Sequence, residues 1–226
     1  MGGVHEYDSH VVVGSVQAVS EKLAEFARDA FDYLIMDEAH HATARSYRRI
    51  LAYFAPRFIL GMTATPDRAD GESVLELFRE SAHRLTLREA VERGELVPIR
   101  CVRVVTNVDL RKVRFNEVQY NQKDIEEAVI IPSRDRLIVN TYCDHVAGRK
   151  AVVFCVNVRH GEALADLFRL NGVQARSVSG RMPRSERERV LLDFSTGNTR
   201  VLCACDILNE GWDCPDVEVL NNSPRL

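Results

Sequence analysis

Short, nearly uninterrupted apolar runs set apart by amphipathic stretches limit what this chain can fold into. "YLIM" (33–36), "AVVFCV" (151–156) and "RVLCACD" (200–206) leave no polar face to turn toward water. Strands of that kind belong to parallel sheets covered by helices on both sides, which predicts an α/β protein. The other predicted strands are "HVVVGSV" (10–16), "RFILGMTAT" (57–65), "ARSVSG" (175–180) and "VEVLNN" (217–222). Helical spacing is read at 22–31, at 47–54 (Tyr47, Ile50, Leu51, Phe54), at 73–79 and at 86–94. It returns at 134–147 and at 160–171, and over Val190, Leu191 and Phe194, where Ser185 and Glu188 form a possible capping box. Residues 99–122 alternate irregularly and read as an extended connection. The same β/α rhythm on both sides predicts two units, 1–98 and 125–226, joined through 99–124.

The charge balance narrows the partners. A formal net charge of -3 gives no global basic field, so any nucleic-acid binding must rest on a local patch. The densest basic stretch, Arg181, Arg184, Arg187 and Arg189, is interleaved with Glu186 and Glu188 and also reads as a solvated helix face. No apolar run reaches the ~18 residues that would span a membrane. Six cysteines lacking a zinc-type spacing read as reduced thiols and predict a cytoplasmic protein.

The run "YLIM" ends on Asp37-Glu38-Ala39-His40. In parallel sheets functional side chains collect at the carboxyl ends of strands. Adjacent carboxylates repel one another, so a cation or a proton-transfer task would justify them. Mg²⁺ is commonly held by one or two carboxylates plus substrate phosphates, which leaves the second acid to orient and deprotonate a water. A solvated acidic loop is the plainer alternative. Thr63 and Thr65 lie at the next strand end, where they could also cap the following turn. Gly211 and Asp213 follow a later strand and could form an ordinary turn.

Six stretches in order carry a resemblance. "VVVGSVQAV", "IMDEAHHA", "GMTATPDR", "AVVFCVN", "VSGRMPRSERERVLLDF" and "VLCACDILNEGWDCPDVEV" resemble the strand-end, II, III, IV and V motifs of superfamily 2 DEAD/DEAH-box helicases and translocases. The likeness is to the branch of DNA-repair and restriction-enzyme motor subunits. It implies two RecA-like (P-loop NTPase type) parallel-sheet domains, with ATP hydrolysed at the cleft between them and coupled to movement on nucleic acid. By that resemblance Asp37 is the metal ligand for Mg²⁺, Glu38 activates the attacking water, and His40 contacts the neighbouring motif and links the ATP site to the second domain, though a loop histidine with a local hydrogen bond is the plainer alternative. Thr63 and Thr65 couple hydrolysis to movement, and Gly211 and Asp213 approach the nucleotide. Ser15, Gln17, Asn157 and Gly180 contact nucleic-acid backbone, with DNA preferred over RNA. Cys205 stands where many relatives have Thr.

Two family features are missing from the sequence. No G-x-x-x-x-G-K-[ST] phosphate loop occurs, and no arginine-bearing motif VI follows motif V. Both domains are therefore expected to be incomplete, and the motif III strand to present an open apolar edge that a further chain or segment would complete. ATP and Mg²⁺ are expected to be used in the complete protein or complex, while this chain alone neither binds ATP usefully nor hydrolyses it. The competing reading is a non-catalytic nucleic-acid- or partner-binding module derived from a helicase.

Overall fold

The computed structural model describes residues 10–41, 45–65, 78, 80–102, 113–114, 121, 123–124, 130–208 and 212–222. The chain divides into two compact units, Met1–Arg100 and Cys101–Leu226.

The first unit opens with helix α1 (Val16–Glu21), started by Ser15, whose hydroxyl accepts the Ala18 N–H at 3.3 Å. A 3-10 turn, Leu23–Glu25, follows, and then strand β1 (Tyr33–Met36), helix α2 (Arg45–Tyr53), strand β2 (Phe58–Gly61) and helix α3 (Leu87–Glu92). β1 and β2 pair in parallel from Tyr33 opposite Phe58 to Met36 opposite Gly61. One face of this sheet is packed by Leu23, Met36, Ile50 and Phe54, with Phe26, Phe31 and Leu34 around them. Helix α3 carries a true capping box: the Thr86 hydroxyl accepts the Glu89 N–H, and the Glu89 carboxylate accepts the Thr86 N–H.

Two expectations for this unit fail. Residues 11–15 form no strand and pair with none among the described residues, and Val13 is 93% exposed. An apolar run becomes a strand only beside a neighbour, and β1 and β2 offer it none. The helix expected at 22–31 is replaced by α1, the 3-10 turn and an extended Phe26. The Ser15 cap starts the helix early. Farther on, the carbonyls a longer helix would use are taken: Phe26 O accepts the Tyr53 hydroxyl, and Arg28 O accepts the Ala55 N–H, both at 2.7 Å.

The second unit is built on helix α4 (Pro132–His145), strand β3 (Ala151–Phe154), helix α5 (Val158–Leu170), strand β4 (Ala175–Ser179), helix α6 (Arg184–Ser195), strand β5 (Val201–Cys205) and strand β6 (Val219–Asn222). The sheet order is β4-β5-β3-β6, all parallel. Alternate residues feed opposite cores. Val153, Val201 and Cys203 meet Ile138, Val139, Leu164 and Phe168 of α4 and α5. Val152, Leu202 and Ala204 meet Val190 and Phe194 of α6. A hydrogen bond involving Cys155, and then burial, push the Cys203 thiol pKa up.

The capping box expected at Ser185 and Glu188 does not form. α6 already begins at Arg184 after Pro183, so Ser185 sits inside the helix, and Glu188 instead takes a 2.6 Å hydrogen bond from Arg184 Nε. The helix expected at 73–79 lies outside the described residues apart from Phe78. Most of 99–124 does too. Within it, Arg114 grips Asp124 through Nε at 2.8 Å and Nη2 at 2.9 Å.

Candidate functional site

The backbone bonds of β1 and β2 continue past the strands. Met62 N–H donates to Met36 O at 2.9 Å, and Ala39 N–H donates to Met62 O at 2.8 Å. Ala39 is completely buried, so its methyl group pins the turn that carries its acidic neighbours. Segments 37–40 and 62–65 are thus held side by side at one end of a parallel pair.

Within that turn Glu38 has φ +49°, a left-handed conformation that costs a side-chain-bearing residue of order 1–3 kcal/mol unless its surroundings hold it. Two bonds do so: Glu38 N–H donates to Asp37 Oδ1 at 2.9 Å, and His41 N–H donates to Glu38 O at 3.0 Å. His40 Nδ1 lies 3.0 Å from Thr63 Oγ1 and 3.3 Å from Glu38 Oε2. Thr63 Oγ1 also accepts the Thr65 N–H at 3.0 Å. A carboxylate oxygen can only accept, so the approach of Glu38 favours a proton on Nδ1, with Thr63 Oγ1 as its nearer partner. Asp37, Glu38, His40, Thr63 and Thr65 form one connected cluster.

The cluster's donor set fits Mg²⁺ held together with a polyphosphate. Asp37 is exposed, and its Oδ1 is engaged by the Glu38 amide, which leaves Oδ2 for a cation. Among the described residues no group of three or more His, Cys, Asp or Glu could enclose a metal by itself. Mg²⁺ requires six oxygens, so most of its shell here would be water and phosphate.

In the second unit the same strand-end logic gathers other residues. Asn157 follows β3, Gly180 follows β4 and Asp206 follows β5. A Cβ at Gly180 would lie 3.3 Å from Asp206 O, so the two strand ends run close together. Asp206 and Leu208 have φ +53° and +69°. Asn157 caps α5, its Oδ1 accepting the His160 N–H at 2.8 Å. Asp213 is exposed, and Gly211 lies outside the described residues. Trp212 packs in the second core, 6.2 Å from the Phe194 ring. In the first unit Ser15 is spent as the α1 cap, and Gln17 stands exposed in that helix's first turn. Sequence reasoning missed Asp206, although "VLCACD" ends on a carboxylate just as "YLIMD" does. It also missed the buried contact of His160 with Asp135.

Residues 4–68 match the family described as the res subunit of type III restriction enzymes, and residues 134–223 match the helicase conserved C-terminal domain. A 51.5 kDa protein of a Lactococcus phage is 30% identical over 189 residues, covering 82% of this chain and 41% of the phage protein. A Saccharomyces cerevisiae protein named as an ATP-dependent helicase, IRC3, is 26% identical over 222 residues, covering 94% of this chain and 32% of its own length. Among solved structures, a fragment of an HsdR subunit of a type I restriction enzyme from Vibrio vulnificus superposes with a TM-score of 0.69 at 26% identity, covering 90% of this chain and 39% of that one. The chain thus spans well under half the length of these relatives. No helix among the described residues is long and apolar enough to cross a membrane.

Proposed function

The chain belongs to superfamily 2 of the helicases and translocases, with parallel α/β units of RecA-like type, and on that premise we propose that it contributes to the motor core of an ATP-driven enzyme moving on DNA. The observation that carries this reading is the bonded cluster of Asp37, Glu38, His40 and Thr63 at adjoining strand ends.

Bound Mg²⁺ and ATP would supply an electrophilic γ-phosphoryl group with its charge partly neutralised. Asp37 Oδ2 would hold the cation. Glu38 orients a water and accepts its proton. His40 ties Glu38 to Thr63, so a change at the base reaches the second strand end, and Thr65 fixes Thr63 through its amide. Gly211 and Asp213 would take part in binding the nucleotide. Ser15, Gln17, Asn157 and Gly180 meet the nucleic-acid backbone; Ser15 would donate its hydroxyl proton, because phosphate oxygens only accept, while its oxygen accepts the Ala18 amide. Residues 1–98 act as the ATP-binding half and 125–226 as the C-terminal half, with 99–124 between them. Six free thiols support a reducing, cytoplasmic compartment.

By itself this chain is proposed to be inactive. It contains no phosphate-binding loop to cradle a triphosphate, and an arginine finger alone is worth about 10³–10⁵ in rate. A further chain or segment would supply both. Phosphate release by the purified chain should match that of Glu38→Gln. ATP turnover that Glu38→Gln abolishes would overturn the proposed inactivity. Titration with DNA and RNA across salt concentrations, with and without ATP, tests the rest: salt-sensitive binding with preference for DNA is expected. An absence of nucleic-acid binding would sink the motor reading.

A further inference from the structure

His160 is an ionisable side chain that the proposed hydrolysis leaves unused. Its ring is wholly buried in the second unit. Nδ1 lies 3.3 Å from the Val156 amide nitrogen, and Nε2 lies 3.0 Å from Asp135 Oδ1. An amide N–H only donates, so Nδ1 keeps its lone pair and the proton sits on Nε2, directed at Asp135. The contact is a neutral imidazole donating to a carboxylate, with both ring nitrogens satisfied. It joins the first turn of α4, the end of β3 and the first turn of α5 at one point.

The backbone of the same residue fixes its neighbour. His160 N–H donates to Asn157 Oδ1 at 2.8 Å, and Gly161 N–H donates to Asn157 O at 3.0 Å. Only the amide oxygen of Asn157 can accept such a bond, so the orientation of its side chain is set and Nδ2 is the donor that remains. Val156 is held by the imidazole, and Asn157 by the helix that the imidazole anchors.

Resting on the nucleic-acid reading of Asn157, we propose that His160 is a positioning residue. With Asp135 it locks the Val156–Asn157 turn so that Asn157 Nδ2 is presented to a phosphate oxygen of the nucleic-acid backbone. Gln can substitute chemically, since its oxygen accepts from Val156 and its NH₂ donates to Asp135. Leu fills similar space and does neither. Asn at position 135 still accepts from a neutral imidazole.

The test is DNA affinity of the full chain, titrated at several salt concentrations, with folding followed by circular dichroism. Asn157→Ala should weaken binding about 5-fold, the scale of one hydrogen bond. His160→Leu should weaken it equally, and the double variant no further. H160Q and D135N should remain near wild type. A neutral amide releases no counterion, so the salt slope should stay fixed throughout. Should His160→Leu fail to fold, H160Q, D135N and the imidazole ¹⁵N shifts still decide. Additive losses, a folded H160Q as weak as His160→Leu, or a proton found on Nδ1 would each overturn the inference. If the wild type binds DNA and Asn157→Ala changes nothing, this inference alone falls. If the wild type binds no DNA, the nucleic-acid reading falls and takes this one with it.

Discussion

The two units are written in the same sequence pattern, and the fold treats them differently. In the second unit every residue of β5 is buried, because α4 and α5 cover one face and α6 the other. In the first unit Tyr33 and Ile35 of β1 are 69% and 61% exposed, although "YLIM" is as apolar as "VLCAC". Phe58 sits against Tyr33 on that open face, ring centroids 6.1 Å apart. A parallel strand is buried by the layers stacked on it, and its own hydrophobicity only permits the burial. Among the described residues β1 and β2 pair only with each other, so their stability rests on the helices packed against the covered face. The proposed chemistry thus sits on the less covered sheet, where local opening costs least.

Core truncation should separate the two units most strongly. Phe194→Ala in the second unit should cost about 3–5 kcal/mol, since the ring is fully buried between α6 and the sheet. Ile35→Ala in the first should stay within about 0.5 kcal/mol, as at other open surface positions. Denaturant unfolding of both variants decides the matter. Equal losses would mean that the face of β1 is covered in solution.

A smaller effect probes the covered side of the first sheet. Gly61 ends β2, and a Cβ there would come within 2.6 Å of the Phe78 ring. Phe78 is only half-buried and can swing partly aside, so Gly61→Ala should cost about 1–3 kcal/mol, toward the lower end. Because Met62 directly follows, the same change should disturb the Ala39–Met62 bond and speed amide exchange at Ala39. Unchanged exchange there would show that the strand-end zipper is independent of the packing beneath it.

What could be read from sequence divides along the same line. In the second unit, length, hydrophobicity and stop signals agree, and β3, β4, β5 and the helices between them fall where the pattern puts them. In the first unit "HVVVGSV" carries a strand composition and is not a strand, because pairing depends on a neighbour that composition does not encode. The end of α1 was hidden for a related reason: Tyr53 and Ala55, far along the chain, claim the carbonyls of Phe26 and Arg28. The acidic turn was legible as a strand-end feature. Its link to Thr63 through His40 was available only by resemblance, since a bond across 23 positions leaves no local signal. Asn157 shows how little a residue type says about its task. The amide expected to meet a ligand is first of all a helix cap.

The smallest expected effect lies outside both sheets and tests whether order in the second unit reaches beyond its core. Hydrogen bonds from the Arg114 side chain, then its backbone amide, lower the Asp124 pKa from an ordinary 3.8 to about 2. A depressed carboxylate stabilises the folded form fully above its unfolded value. That contribution is lost as pH falls through the folded one. The clamp should therefore hold at pH 5 and release between about pH 4 and pH 2, a local change because the pair lies at the surface. Carboxyl-carbon NMR shifts should place the Asp124 midpoint near 2, and Arg114→Met should return it toward 3.8. If the β5 amides lose protection in step with Asp124, the clamp and the core are one cooperative body. If they hold while the clamp opens, the stability of the second unit is confined to its two packed faces.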